Sequence, residues 1–260
     1  MFKFCNLYSG SSGNCSYIES DNSKILVDCG VSAKKIEEAL ISLNSHPSEL
    51  DGILITHEHS DHIKGLATLC KKYNVPIYSN RHTFDVISNS LKSNNEIHYF
   101  NNNDKFEVKD LEIHPFSISH DAVDPCAFSI IKDNAKISIA TDIGHATQNV
   151  IDNLLGSSFV LLEANYEPDM LKSSKYPYSL KRRILGPDGH LSNDDAAQIV
   201  SYLVKSNTKK IMLGHLSEHN NFPELAYQTV MNSIIEKNID ISNISLSVAS
   251  RSKVDKKIDV

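Results

Sequence analysis

Six residues, His57-Glu58-His59-Ser60-Asp61-His62, restrict what this chain can fold into more than anything else in its 260 residues. Three imidazoles and two carboxylates stand within six positions, a donor set suited to zinc, manganese or iron. With only 12 histidines in the chain, chance is a poor explanation for the pattern. Its flanks fit metal binding. Ile53-Leu54-Ile55 is a short apolar run of the buried-strand type, ending at Thr56. A helical spacing of Ile63, Leu66, Leu69 and Cys70 begins near Asp61. The motif therefore falls on a turn between two rigid elements, where side chains can converge on one point. His57 and His59, two apart, can grip one ion. Asp61 and His62, turned by the helix start, can grip a second.

The rest of the chain supplies strands first and helix–strand units later. Phe2 to Tyr8 reads as a strand, followed by the small-residue loop Ser9 to Asn14. Cys15 to Glu19 and Lys24 to Val27 read as a hairpin about Asp21-Asn22, with a helix after Ser32 as its N-cap. Pro76-Ile77-Tyr78, Phe106 to Val108 and Leu111 to Ser119 read as strands, and Thr83 to Leu91 as a helix. Cys126 to Ile131 and Lys136 to Ala140 form a hairpin about Asp133-Asn134. A helix from Ala146 to Leu155 precedes the strand Phe159 to Leu162. Helix Asn193 to Lys205, strand Ile211 to Leu213, helix Pro223 to Lys237 and a strand near Ile244 to Val248 complete the reading. This order predicts a mixed α/β (α+β) fold with helices covering sheets, and residues 1–260 as one domain. No linker or low-complexity tract divides the chain, and no apolar run approaches the length of a membrane span. The five cysteines are widely spaced without a CxxC pair, and the N-terminus lacks the pattern of a secretory signal. Both point to reduced thiols and a cytoplasmic location.

On these motifs the chain resembles the metallo-β-lactamase superfamily. The HxHxDH turn follows an upstream strand ending in Asp28, and three later features keep the family's order: Ser119-His120-Asp121, Thr141-Asp142-Ile143-Gly144 and Leu213-Gly214-His215. The resemblance spans Phe2 to Val248. It implies a four-layer αββα sandwich with two divalent cations, Zn2+ or Mn2+. One would be held by His57, His59, His120 and Asp142, the other by Asp61, His62, His215 and the shared Asp142. Asp28 is read as a brace for the turn, and Glu58 is left without a role.

The Gly-His-Leu-Ser sequence occurs twice, at Gly189 to Ser192 and Gly214 to Ser217. That block is similar to the nuclease and phosphodiesterase branch typified by tRNase Z. There a histidine before a helix pairs with a strand-end Glu, here His190 and Glu163. The resemblance implies a metal-bridged hydroxide as nucleophile, Asp61 as an acceptor of its proton, and His190 oriented by Glu163 as proton donor. A plain alternative is that His190 only caps the helix. Over its full length the chain is most similar to the small, single-domain YycJ/WalJ/VicX-type group of metallo-β-lactamase-fold exonucleases. The Asp133-Asn134 turn leaves no room for a tRNA-gripping arm, and the chain is too short for an inserted β-CASP domain.

A net charge of −6 at pH 7 excludes a coat of basic charge but not a local basic patch. Lys172, Lys175, Lys181, Arg182 and Arg183 fall in one stretch free of acidic residues, interleaved with Tyr176 and Tyr178. With Ser12 and Asn14 of the small-residue loop, Lys181, Arg182 and Arg183 are the candidate substrate-binding residues. The expected partner is nucleic acid, DNA ahead of RNA, with no membrane role; a homo-oligomer stays open. The alternatives are a small-molecule hydrolase of the same fold (thioester, lactone, lactam or cyclic phosphodiester), an RNA-processing nuclease, a flavin-coupled diiron oxidoreductase and a non-catalytic regulator. The missing flavin domain and the intact ligand set speak against the last two.

Overall fold

The computed structural model describes residues 1–91 and 95–260. Its strands form two seven-stranded sheets. The first runs through β1 (Phe2–Tyr8), β2 (Cys15–Ser20), β3 (Lys24–Val27), β4 (Gly52–Leu54), β5 (Ile77–Asn80) and β6 (Ile97–Phe100). The second runs through β7 (Phe106–Val108), β8 (Leu111–Ser117), β9 (Cys126–Lys132), β10 (Ala135–Ala140), β11 (Phe159–Glu163), β12 (Lys210–Gly214) and β13 (Ser245–Val248). The two-residue β14 (Ile258–Asp259) returns to pair with the outer edge of β1.

The strands are apolar on both faces because both faces are covered. Phe4, Ile25, Phe159, Leu161 and Met212 meet in one core between the sheets. The alternate residues of the same strands point outward. Leu7 and Leu26 pack against Ile36 and Leu40 of α1 (Ala33–Ser42) and Leu69 of a later helix. Val160, Leu162, Ile211 and Leu213 pack against helices on the far side. The layers are therefore helix, sheet, sheet, helix: the αββα sandwich.

Short helices separate the remaining strands. α2 (Ser60–Ile63), α3 (Leu66–Tyr73) and α4 (Arg81–Ile87) follow β4 and β5, and α5 (Gln148–Leu154) follows β10. α6 (Pro168–Ser173), α7 (Tyr178–Ile184), α8 (Asn193–Lys205) and α9 (Pro223–Glu236) complete the set. β3, β4, β5 and β6 run parallel to one another, as do β10, β11, β12 and β13. Parallel strands bring their carboxyl ends to one edge, where α/β sheets place their sites. Asp28, Thr56, Asp142, Glu163 and His215 all lie at such ends.

The structure corrects the sequence reading in several places. The helix expected to run through Ile63 and Cys70 is two helices. Gly65 interrupts them because its backbone is pressed against the chain after β3: a Cβ there would lie 2.2 Å from the Val31 carbonyl oxygen, and its N–H donates to the Cys29 carbonyl. The helix expected over Thr83 to Leu91 starts at Arg81, capped by Asn80, and gives way to a 3-10 turn at Ser88. The one expected from Ala146 starts at Gln148 behind Thr147. β6, β14, α6 and α7 have no counterpart in that reading.

Candidate active site

The HxHxDH turn is braced from behind by Asp28, as its place at the end of β3 suggested. Asp28 Oδ1 accepts the Thr56 backbone N–H (2.9 Å); Oδ2 accepts the Thr56 hydroxyl (2.8 Å) and faces His62 Nδ1 (2.7 Å). Asp28, Asp142 and His215 all have left-handed backbones, with φ of 62°, 60° and 54°. Such conformations cost free energy in non-glycine residues and gather where a strand must turn a side chain sharply into a site.

Seven side chains, with Glu163 and His190 beside them, converge at this edge in four overlapping groups, the fourth being Asp142, Glu163, His190 and His215. The ligand atoms of His57, His59 and His120 all lie within 4.8 Å of one another, as do those of Asp61, His62 and His215. Asp142 joins His57 and His62 in a third group and so stands between the other two. His59 Nδ1 is 3.1 Å from His57 Nε2 and 3.2 Å from His120 Nε2. His62 Nε2 is 3.2 Å from Asp142 Oδ2 and 3.6 Å from Asp61 Oδ2, and His215 Nε2 is 3.7 Å from Asp61 Oδ2.

Four of the five rings turn one nitrogen inward and bond the other outward. The outward partners are Thr56 Oγ1 for His57 (3.0 Å), Asp28 for His62, the Gly189 carbonyl for His120 (3.2 Å) and Glu163 Oε1 for His215 (2.9 Å). That arrangement fixes tautomer and ring orientation in metal sites. Among the described residues, His215 Nε2 is buried without a hydrogen-bond partner, and Asp142 Oδ2 is buried with the His62 ring 3.2 Å away but outside hydrogen-bond geometry. A buried polar atom left unpaired is costly. Three imidazole nitrogens aimed at one point also repel unless a positive centre lies among them. The donor set therefore fits divalent cations.

The electrostatics are divided. Burial pushes His57 well below its ordinary range, with His62 adding to the effect, and burial likewise lowers His120. For His62 and His215 burial opposes the charge but loses. Asp142 and Asp28 hold His62 well above 6.5, and Asp142, Asp61 and Glu163 push His215 up to about 10. Asp142 resists burial and stays well below the ordinary carboxylate range, held there by His215 and His62.

Glu163, at the end of β11, is fully buried and fully used. Its Oε1 faces His190 Nδ1 (2.8 Å) as well as His215 Nδ1. Its Oε2 accepts the backbone N–H of Ile143 (2.7 Å) and Leu191 (3.3 Å). Burial would raise its pKa, but His190 and His215 hold it below the ordinary value. His190 Nδ1 stands 3.8 Å from Asp142 Oδ1. It does not cap α8; Ser192 does, in a reciprocal arrangement with Asp195. Sequence reasoning paired Glu163 with His190 and missed its second partner, His215.

The expected substrate-binding residues divide. Asn14 is buried against the cluster: its Nδ2 is 3.1 Å from His62 Nε2 and 3.4 Å from Asp61 Oδ2, while its Oδ1 accepts the Gly10 N–H. Ser12 lies exposed on the loop. In α7, Lys181 turns back to donate to the Lys172 carbonyl, Arg182 is exposed, and Arg183 points to the cluster, where its guanidinium forks onto Asp121. Three supporting residues had no role of their own in the sequence reading. Ser9 Oγ accepts the His215 N–H, Asn165 donates to the His215 carbonyl, and Asp121 holds Arg183. Asp121 belongs to the Ser119-His120-Asp121 motif and Asn165 lies two positions after Glu163, a signal that could have drawn attention to them.

A model of the beta-lactamase superfamily domain matches residues 23–215. The exodeoxyribonuclease WalJ of Streptococcus pneumoniae is 39% identical over 244 residues, covering 92% of this chain and 91% of that protein. The exodeoxyribonuclease YycJ of Bacillus anthracis is 36% identical over 240 residues, with the same coverage of both chains. In fold alone, the metallo-beta-lactamase fold protein YhfI of Bacillus subtilis is similar at a TM-score of 0.74 and 16% identity, over 98% of this chain and 100% of that one.

Proposed function

The chain belongs to the beta-lactamase superfamily, and from that premise we propose that it is a dinuclear metal-dependent phosphodiesterase releasing nucleotides from DNA ends. One observation carries the reading furthest: a half-buried histidine, His190, is held by a buried carboxylate within 4 Å of the histidine–aspartate cluster. The two exodeoxyribonucleases that align along nine-tenths of the chain support DNA as substrate. We read residues 1–260 as one hydrolase domain acting in the cytoplasm.

His57, His59, His120 and Asp142 would hold one cation, and Asp61, His62, His215 and Asp142 the other, with zinc or manganese suited to the donors. When bound, such a pair makes water a strong nucleophile at neutral pH and offsets the charge of a phosphoryl group. The protein's own groups do the rest. Asp61 Oδ2, facing both His62 and His215, can accept a proton from the attacking water. Glu163 takes up the Nδ1 of His190, which leaves Nε2 to protonate the departing sugar oxygen. Asn14 stands beside Asp61 and the inward nitrogen of His62. Tyr178, 76% exposed, lies on α7 with Lys181 and Arg182, a surface on which a base can stack beside bound phosphates.

End-labelled DNA and RNA, with manganese or zinc, tested beside a thioester and a lactam, decide the matter. Mononucleotides released from DNA, and none in the presence of a chelator, are the expected result. Intact DNA together with rapid thioester or lactam hydrolysis overturns it.

A further inference from the structure

Asp121 is the residue at this edge that the functional reading leaves without a task. Its Oδ1 lies 3.5 Å from His120 Nε2, the nitrogen that also faces His59. The same carboxylate takes the Arg183 fork, with Nη2 donating to Oδ1 at 2.9 Å and Nε donating to Oδ2. One anionic group thus touches the first histidine group with one oxygen and an arginine with both. A substrate phosphoryl group shared between a cation at that site and a recognising arginine would have the same arrangement. Guanidinium binds carboxylate and phosphate with one planar geometry.

We propose that Asp121 is a built-in stand-in for the substrate phosphate, which holds Arg183 ready and is displaced from it when a phosphodiester binds. The inference rests on the phosphodiesterase reading and deepens it, by naming the group that recognises the scissile phosphate and the group that competes for it.

The backbone around the pair is firm while the side chains are free to exchange. The His190 N–H donates to the Ile184 carbonyl, and a Cβ on Gly189 would lie 2.1 Å from that same oxygen. The end of α7 is thereby locked to the segment carrying His190. The Asp121 N–H donates to the Asp188 carbonyl, which locks the other partner to the same segment. At the tips, the Arg183 and Asp121 side chains are 48% and 35% exposed. An ion pair so open to water has little net strength, so exchanging one anion for another is inexpensive. Asp61 and Asp142 also add to the field that favours the Arg183 charge, after Asp121 itself. Arg183 therefore stays a cation at the site when Asp121 swings away. Asp121 in turn competes with an incoming anion for the Arg183 fork, so its removal helps binding while the arginine is present. A purely structural ion pair would do the reverse.

The test uses manganese-loaded protein in two readouts: nucleotide release from end-labelled DNA, and calorimetric binding of inorganic phosphate. The variants are Asp121→Asn, Arg183→Ala, Arg183→Lys and the pair Asp121→Asn with Arg183→Ala, with metal content measured for each. Asp121→Asn is expected to tighten phosphate and lower KM by roughly threefold to tenfold, with the change in KM and not in kcat. Arg183→Ala should weaken both readouts by at least as much. Arg183→Lys should recover only part of the loss, because an ammonium lacks the fork. The double variant should match Arg183→Ala, since without the arginine there is nothing for Asp121 to withhold. Weaker phosphate binding in Asp121→Asn, loss of metal from it, or a gain that persists without Arg183 each overturns the proposal. If the native chain leaves DNA intact while phosphate binding follows the expected pattern, the DNA reading falls and the clamp stands.

Discussion

At the scale of single residues, the chemistry turns on which nitrogen of each histidine is already committed. His190 gives Nδ1 to Glu163, so in the proposed mechanism its donor to substrate is Nε2. A general acid there is worth roughly 10²–10⁴ in rate. His190→Ala should lower turnover by about that factor with metal content unchanged, and the loss should shrink for a substrate with a nitrophenolate leaving group. Steady-state kinetics on both substrates, with metal analysis, checks it; loss of metal would make His190 a ligand instead. Protonation of the cluster has a definite sign as well. Without metal, His62 and His215 have folded pKa values above the ordinary 6.5, about 10 for His215. Their contribution to stability is complete below pH 6.5 and is lost as pH rises through the folded values. Asp142 is depressed below 3.8, so its contribution is present above that pH and is lost as pH falls toward the folded value. His57 and His120, depressed below 6.5, act the other way and cost stability as pH falls below 6.5, so the metal-free protein should melt highest near pH 6.5 and lower on either side. A cation must displace the same protons, so affinity should rise with pH. Calorimetry at pH 8 in two buffers of different ionisation heat should show protons released on binding; proton-neutral binding would count against the shifts.

At the scale of elements, the site depends on backbones approaching more closely than side chains would allow. Gly30, just after Asp28, lies against the Asp61 backbone: a Cβ on it would be 1.6 Å from the Asp61 carbonyl oxygen and 2.5 Å from the Asn14 nitrogen. The loop after β1, the end of β3 and the start of α2 are stacked through this one position. Its backbone N–H donates to the Asn14 carbonyl, and the Asn14 N–H donates to the Asp61 carbonyl, 2.7 and 2.8 Å. Gly30→Ala must push these segments apart, costing roughly 1–3 kcal/mol as overpacking does. It should also weaken metal binding, because Asp61 and His62 move with the turn. Denaturant unfolding and metal titration of that variant measure the two effects; an unchanged metal affinity would mean that the turn is held by Asp28 alone.

At the scale of the molecule, the cluster spans the seam between the sheets. His57, His59, Asp61 and His62 follow β4 of the first sheet, whereas His120, Asp142 and His215 follow β8, β10 and β12 of the second. A bound cation would therefore cross-link the two halves. Metal at about a hundredfold excess over Kd adds about 2.7 kcal/mol. For a chain of this size that amounts to roughly 5–10 °C in melting temperature. Calorimetric scans with and without chelator should differ by that amount, and Asp142→Ala should melt alike in both.

The candidate ligand set was legible in the one-dimensional chain because it is local: HxHxDH sits on one turn, and the later candidate ligands each follow a recognisable strand. The sandwich was legible for a related reason, since strands buried on both faces write continuous apolar runs such as Phe159 to Leu162. What lay beyond the sequence depends on register and long-range pairing. β14 is two residues whose only claim to be a strand is its pairing with Lys3 and Phe4. α6 and α7, six and seven residues long, are held by a small cluster of Tyr166, Leu171 and Ile184 rather than by their own periodicity. Glu163 serves His215 because parallel pairing sets it opposite Gly214, one residue before that histidine. Asp121 and Arg183 are 62 positions apart and meet only because the segment around Gly189 locks both their backbones. Residue identity determines which groups can bind a cation or carry a proton. Only closure of the chain decides which of them share an atom, because that choice rests on distances that no local pattern encodes.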